Sequence, residues 1–481
     1  MAIRLPFANI RPEARRRALI LLLILALSFL VRGLTAQFMG PRLNDPGWFQ
    51  SGSYKVFDER AQNILDGRER PFWIDDKTRT DLIQYPPAFP LWMAFIYAAS
   101  GERSSYAVHR VHWVLDALSV LVIVGIGVAA YGWRVGLAGG WLAALSPLLA
   151  LYGTWPSSDP LTTWLVLGAV WMLVLSAKGK STGWAIGSGL MLGVACWMRV
   201  NPLLLAFFWA LALLLFLQAR WRPKARLAAA LVLSTMFVIS PVVVRNLVVF
   251  DDFAPTGLTI GTNLWEGLGE AQWGAAEGAP YGDTLMVERE RAEMGLAQDF
   301  PLKPFWPDGI KRDRERGRRA LAIIARHPLK YAALMGQRMW GMLKVAGEPS
   351  GFYGNAGINV TSRKCLPDGW QGGLSAMLVN TLGMMQSVFR YLALPLWAYG
   401  IWQAMRRDAR ITGVLLATVF YYLVPGAAAH TELRYVLPMH GLLVIFAGFS
   451  VCSLSETLYS VIKGRGDRRN RNEMEADKQA V

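Results

Sequence analysis

Long apolar runs recur along the chain, separated by short connections that carry charge or proline. They cover about residues 17–38, 105–131, 137–153, 160–176, 183–198, 202–218, 227–249, 376–403, 411–424 and 436–456. Most approach the ~20 residues that an α-helix needs to cross a hydrocarbon core of ~30 Å. Inside a bilayer every backbone amide must be satisfied within the segment, so such runs are helices. The pattern predicts an all-α polytopic membrane protein with about 10 transmembrane helices and further juxtamembrane helices. Residues 1–456 form one membrane domain with two long polar loops, about 39–104 and 250–375; residues 457–481 form a basic tail without fixed structure.

Two segments depart from the simple span. Ile83–Ser100, IQYPPAFPLWMAFIYAAS, is apolar but opens with Pro86, Pro87 and Pro90, which fit only a helix's first turn. What remains is too short to cross, and a crossing there would turn every basic loop to the opposite side. It is expected to lie on or dip into the outer membrane face. Residues 320–345 mix apolar positions with Arg326, His327, Lys330, Arg338 and Lys344. That is the signature of an interfacial amphipathic helix, broken near Pro328.

Charge fixes an expected orientation. Basic clusters at Arg15–Arg17, Lys178 and Lys180, Arg220–Arg226, Arg406–Arg410 and Lys463–Arg471 each border an apolar run. With the N-terminus inside, all of them fall on the cytoplasmic side, as the positive-inside rule requires. Both termini are then cytoplasmic, in an inner (plasma) membrane protein. Arg15–Arg17 ahead of ALILLLILALSFLV resembles a signal peptide, but no small-x-small cleavage site follows and Arg32 interrupts the run, so an uncleaved first helix is expected. Composition agrees: 53% of the 481 residues are hydrophobic and 17% charged, against about 45–50% and about 25% in soluble domains. The net charge of +16 does not imply nucleic acid, because the basic clusters lack the aromatic platforms on which bases stack. Cys196, Cys365 and Cys452 show neither metal spacing nor a disulfide framework.

The candidate chemistry lies on the predicted outer side. Acids crowd the first loop, including Asp45 and Asp58, and Asp159 stands in the otherwise uncharged TWPSSDPL at a helix mouth. Asp159 could cap its helix, with Pro160 in the first turn, or serve a purpose that justifies an acid at the membrane edge. Arg199 in WMRVNP, Arg245 in PVVVRNLVVF and Arg434 in HTELRYVLP each end a span on the side where positive charge is disfavoured. Guanidinium pairs bidentately with phosphate and keeps its charge, so three of them facing one compartment suggest a phosphate site. An acid there could act as general base toward an acceptor hydroxyl or amine. His112 and Asp116, one turn apart in one span, and His440 in another are functional candidates as ionisable residues within a bundle; Asp116 could equally be a structural hydrogen-bonder, and all three are left out of the active set.

Six stretches in order resemble the GT-C membrane glycosyltransferases, in the family 39-like branch of protein O-mannosyltransferases and lipid A aminoarabinose transferases. They are FDERAQNILDGRERPF, YPPAFPLW, SSDPLTTW, PVVVRNLVVFDDFAPTGLTIGTNLWEGLG, RHPLKY and ELRYVLPMHGLLVIFAG. The resemblance implies transfer of a sugar from a polyprenyl-phosphate donor to a lipid, protein or polysaccharide acceptor on the extracytoplasmic face, with inversion at the anomeric carbon. It implies catalytic roles for Asp58 and Asp159, and substrate binding by Arg245, Arg434, Arg199, Tyr435 and Tyr85. The branch's usual first-loop acid falls at Ser53, so Asp58 or Asp45 must supply that carboxylate. Gln84–Tyr85 stand where the aminoarabinose transferases carry a lysine, which disfavours that sugar. Some members use a divalent metal and others do not; no cofactor is required by this sequence, and Asp58 with Asp159 is where a cation would sit. Two other readings stand beside it: a glycan ligase of O-antigen type, which shares the topology and the outward arginines, and a flippase of lipid-linked sugars. The early acidic loop and proline pair favour the transferase over the ligase. The lack of inverted repeats argues against the flippase.

Overall fold

A computed structural model describes residues 12–44, 52–72, 74, 76–343, 373–430 and 432–479. Asp45 and Cys365 lie outside them. The first long helix is α1 (Pro12–Met39), followed by α2 (Gly52–Leu65) and α3 (Ala88–Ser100). The bundle continues through α4 (Ser105–Tyr131), α5 (Trp133–Leu145), α6 (Pro147–Gly153), α7 (Ser158–Gly179), α8 (Thr182–Met198), α9 (Leu205–Phe216) and α10 (Trp221–Phe250). A cap of shorter helices follows: α11 (Ile260–Gly269), α12 (Gln272–Ala276), α13 (Asp283–Glu293), α14 (Gly309–Arg326) and α15 (Pro328–Leu343). Two long helices, α16 (Gly373–Ala427) and α17 (Leu437–Gln479), complete the chain.

The fold is the expected all-α membrane architecture, but the count of ten spans is not reproduced. Among the described residues, six helices are long and apolar enough to cross a bilayer: Pro12–Gln37, Ser105–Tyr131, Ser158–Gly179, Trp221–Phe250, Tyr391–Ala427 and Leu433–Lys463. The differences have local causes. The run at 137–153 is split because Ser146 leaves the helix and caps α6, its Oγ accepting from Leu149 N, with Pro147 behind it. The run at 202–218 starts in turns after Pro202, and α9 is left with 12 residues, about 18 Å at 1.5 Å per residue. The break expected between the runs 376–403 and 411–424 is present: Asp408 leaves helical geometry inside α16 (φ −152°, ψ 87°) and accepts from Arg410 N and Ile411 N, so it caps a second helix. The proline-led α3 has 13 residues and reaches about 20 Å, short of a span. Helix α17 continues to Gln479, through the residues read as an unstructured tail.

The centre of the bundle is tied by a buried ion pair. Arg32 Nε donates to Asp116 Oδ2 at 2.9 Å, and its Nη1 donates to the Ala143 and Ala144 carbonyls at 3.2 and 2.7 Å. Pro147 has no N–H to offer Ala143, so Arg32 occupies a carbonyl that the helix break leaves under-used. Trp164 Nε1 donates to the other Asp116 oxygen at 3.0 Å. A methyl group on Gly153 would stand 2.1 Å from the Asp116 carboxyl carbon, so α6 can approach this pair only through glycine. Losing one partner of a buried pair costs about 3–5 kcal/mol, because the other charge is left uncompensated. His112 is also structural: Trp92 Nε1, a donor only, approaches His112 Nε2 at 3.2 Å, so Nδ1 carries the proton and donates to the Trp155 carbonyl at 2.7 Å.

Candidate active site

At the end of the bundle where α7 begins and α8 ends, a cavity of about 420 Å³ opens between the bundle and the cap. Its floor comes from helix ends. Helix α8 stops at Met198 and the chain turns before Pro202, which leaves Arg199 at the terminus in an extended conformation. Asp159 lies in the first turn of α7, where the helix dipole favours a carboxylate. Its carboxylate does not cap that helix. Oδ1 accepts from Arg199 Nη1 at 2.5 Å and Oδ2 from Ser157 Oγ at 3.0 Å. Arg434 Nε stands 3.9 Å from Asp159 Oδ2, and it is buried without a hydrogen-bond partner.

Charge continues from this group into the cap. Arg434 Nη2 donates to Glu432 Oε1 at 2.5 Å, and the Tyr435 hydroxyl donates to the same oxygen at 3.0 Å. His430 lies 3.8 Å from Glu432 and 2.5 Å from Glu270. Glu270 is bound from its other side by the fully buried Arg338 of α15, at 3.0 Å. Burial alone would lower the His430 pKa, but the Glu270 and Glu432 carboxylates override it and raise it to about 10. The imidazole is therefore a cation at neutral pH. Burial alone would raise Glu432, and Arg434 and His430 reverse this and hold it well below the ordinary carboxylate range.

The walls are aromatic. Arg199 lies over the Tyr435 ring with Cζ 4.2 Å from the centroid, and Arg434 lies 5.8 Å from the Trp155 centroid. Tyr85, Tyr54, Phe57 and Tyr281 also face the cavity. Helix α11 supplies Glu266 and Asn263 to the roof. The helix lacks a side-chain cap of its own; Asp313 of α14 accepts from Gly261 N, Thr262 N and Thr262 Oγ1 at 3.2, 2.8 and 2.8 Å. Arg316, itself held by Glu290, donates to Thr262 Oγ1 at 2.9 Å, so α11 is fixed from two sides.

Of the expected site residues, Asp159, Arg199, Arg434, Tyr435 and Tyr85 line this one cavity. Asp58 and Arg245 do not. Asp58 accepts from the Tyr97 hydroxyl at 2.6 Å and from Gln62 Nε2 at 2.9 Å, and so ties α2 to α3. Its neighbours Tyr54 and Phe57 take the cavity-facing positions. Arg245 donates to the Pro71 carbonyl and to Asn246 Oδ1, at 2.5 Å and at 3.0 and 2.7 Å, which pins the first loop against α10. Glu432, His430, Glu266 and Asp283 also border the cavity. The first two had a signal in HTELRY, whose charges surround Arg434; the last two had none. Among the described residues, no three His, Cys, Asp or Glu side chains gather as a metal site. Asp159, the expected cation ligand on the cavity, is already engaged by two guanidiniums.

Comparison with known proteins adds a family to this geometry. Residues 84–244 match the family model of dolichyl-phosphate-mannose-protein mannosyltransferases. No curated protein matches the sequence. The chain is similar in structure to the archaeal oligosaccharyltransferase AglB of Archaeoglobus fulgidus in complex with an inhibitory peptide and a dolichol-phosphate. Identity is 11% and TM-score 0.50, over 94% of this chain and 52% of that one. A crystal structure of the Archaeoglobus fulgidus oligosaccharyltransferase tethered with an acceptor peptide gives 10% identity and TM-score 0.49, over 91% and 50%. The chain thus spans about half the length of these structures. At such identity the likeness is one of fold.

Proposed function

We propose, from the premise that this chain belongs to the GT-C superfamily of membrane glycosyltransferases, that it transfers a sugar from a polyprenyl-phosphate donor to an acceptor on the extracytoplasmic face. The observation that carries the reading is the paired guanidiniums of Arg199 and Arg434 on one cavity, with Arg434 Nε buried and unsatisfied. A buried donor without a partner is costly, and an anionic ligand removes that cost. A lipid phosphate is such a ligand, and two guanidiniums would stabilise the charge that grows on it as the sugar departs. The similar archaeal structure holds a dolichol-phosphate, which supports a lipid-borne donor.

In this reading Asp159 keeps Arg199 aimed at the phosphate, and Trp155, Tyr85 and Tyr435 bound the sugar. Departure of the phosphate from one face and attack from the other invert the anomeric carbon. Asp58 acts through Tyr97, holding the helix that carries Tyr54 and Phe57 to the cavity. No step calls for a divalent cation, because the guanidiniums carry the phosphate charge. The test is sugar transfer by the purified protein in nanodiscs from a panel of polyprenyl-phosphate sugars to an envelope extract. Asp159→Asn should lower transfer about 100-fold, the usual effect of misplacing one group of an organised site. Full activity in that variant would overturn the assignment.

A further inference from the structure

The cavity has four carboxylates, and they fall into two kinds. Asp159 is bound by Arg199, with Arg434 close by, and Glu432 is bound by Arg434, with His430 close by. Both are committed to cations. Glu266 and Asp283 line the same cavity, and the Asp283 charge acts on Glu266. Neither has a Lys, Arg or His within ion-pair distance among the described residues. Glu266 is half-buried on the fixed helix α11, and Asp283 is exposed at the start of α13.

We propose that Glu266 is the general base of the transfer and that Asp283 passes the proton to solvent, which rests on the donor reading above. The proton of an acceptor hydroxyl goes to the Glu266 carboxylate as its oxygen bonds to the anomeric carbon. The bond from that carbon to the phosphate oxygen breaks, and its electrons leave with the polyprenyl phosphate beside Arg434 and Arg199. Asp283 then takes the proton and loses it to water. This arrangement separates the two electrostatic tasks, with cations at the leaving group and an unpaired carboxylate at the nucleophile.

The environment suits the role. Burial first, and then the neighbouring Asp283 charge, raise the Glu266 pKa to about 8, against weaker opposing pulls from His430 and Arg316. A carboxylate lifted toward neutrality is a better base for a hydroxyl proton than an ordinary one.

The test uses the full chain in nanodiscs with two readouts, sugar transfer and binding of polyprenyl phosphate. Glu266→Gln should lose about 10²- to 10⁴-fold in transfer, the range for general-base removal, while phosphate binding changes less than about twofold. Asp283→Asn, at an exposed position, should move the acidic limb of the kcat/KM profile to lower pH, because the charge that raises Glu266 is gone. Glu266→Gln that still transfers, or an unmoved limb in Asp283→Asn, would overturn the base assignment and leave the donor reading standing. Wild-type protein that neither binds polyprenyl phosphate nor transfers sugar would overturn both.

Discussion

Replacing Arg434 with alanine tests the phosphate site, while also removing the partner of Glu432. Arg434 uses one nitrogen on Glu432, at 2.5 Å, and presents a buried Nε, 3.9 Å from Asp159, that no protein group satisfies. A phosphate oxygen accepting from that guanidinium makes a charge-assisted hydrogen bond of about 1.5–3 kcal/mol. Since about 1.4 kcal/mol is a factor of ten, Arg434→Ala should weaken polyprenyl phosphate binding about 10- to 150-fold. Arg434→Lys keeps the charge but loses the planar fork, so its affinity should fall between wild type and alanine. The assay is equilibrium binding of radiolabelled polyprenyl phosphate to nanodisc protein, with thermal stability measured in parallel. Arg134→Ala removes an arginine from the exposed pair with Glu456 at the opposite end of the bundle, and it should bind like wild type. Unchanged affinity in folded Arg434→Ala, or an equal loss in Arg134→Ala, would refute the phosphate assignment.

Three other outcomes follow from the geometry. His430 is raised to about 10 in the folded protein, so its stabilising protonation is fully present below its unfolded pKa of about 6.5 and is lost as pH rises through about 10. The melting temperature should therefore decline between pH 7 and 10, and His430→Gln should flatten that decline. Gly153→Ala drives a methyl group into the Asp116 carboxylate, and overpacking of this kind costs about 1–3 kcal/mol; a lower melting temperature with little change in phosphate affinity is expected. Asp58→Asn weakens the tie to Tyr97 without touching the cavity wall. It should lower stability and raise KM while phosphate affinity stays close to wild type, and loss of transfer at unchanged KM and stability would return a direct catalytic role to Asp58.

The long apolar runs were legible in the sequence because a bilayer allows them one backbone structure. Their interruptions were harder to read. Ser146–Pro147 is an ordinary pair until its side chain and missing donor are set against neighbouring helices, as Arg32 shows by reaching the carbonyls beside Pro147, whereas the charged MRRDAR connection announced the break at Asp408. The cavity was half legible. Asp159, Arg199, Arg434, Tyr85 and Tyr435 stand at element ends, and ends on one side of a bundle converge. Asp58 was harder to place because it shares a helix face with Tyr54, four residues earlier, and only the partners Tyr97 and Gln62 turn its carboxylate away from the cavity. Arg245 meets Pro71, a partner 174 residues away. Glu266 gave no signal at all, because the orientation of α11 is set by Asp313, about 50 residues later in the chain.

A cryo-electron-microscopy map of the nanodisc-embedded protein with polyprenyl phosphate bound would locate the anion outright. The phosphate is expected within hydrogen-bond distance of both Arg199 and Arg434, in the cavity that Glu266 also lines. A phosphate seated at Arg245, or anywhere beyond reach of the Arg199–Arg434 pair, would contradict that placement.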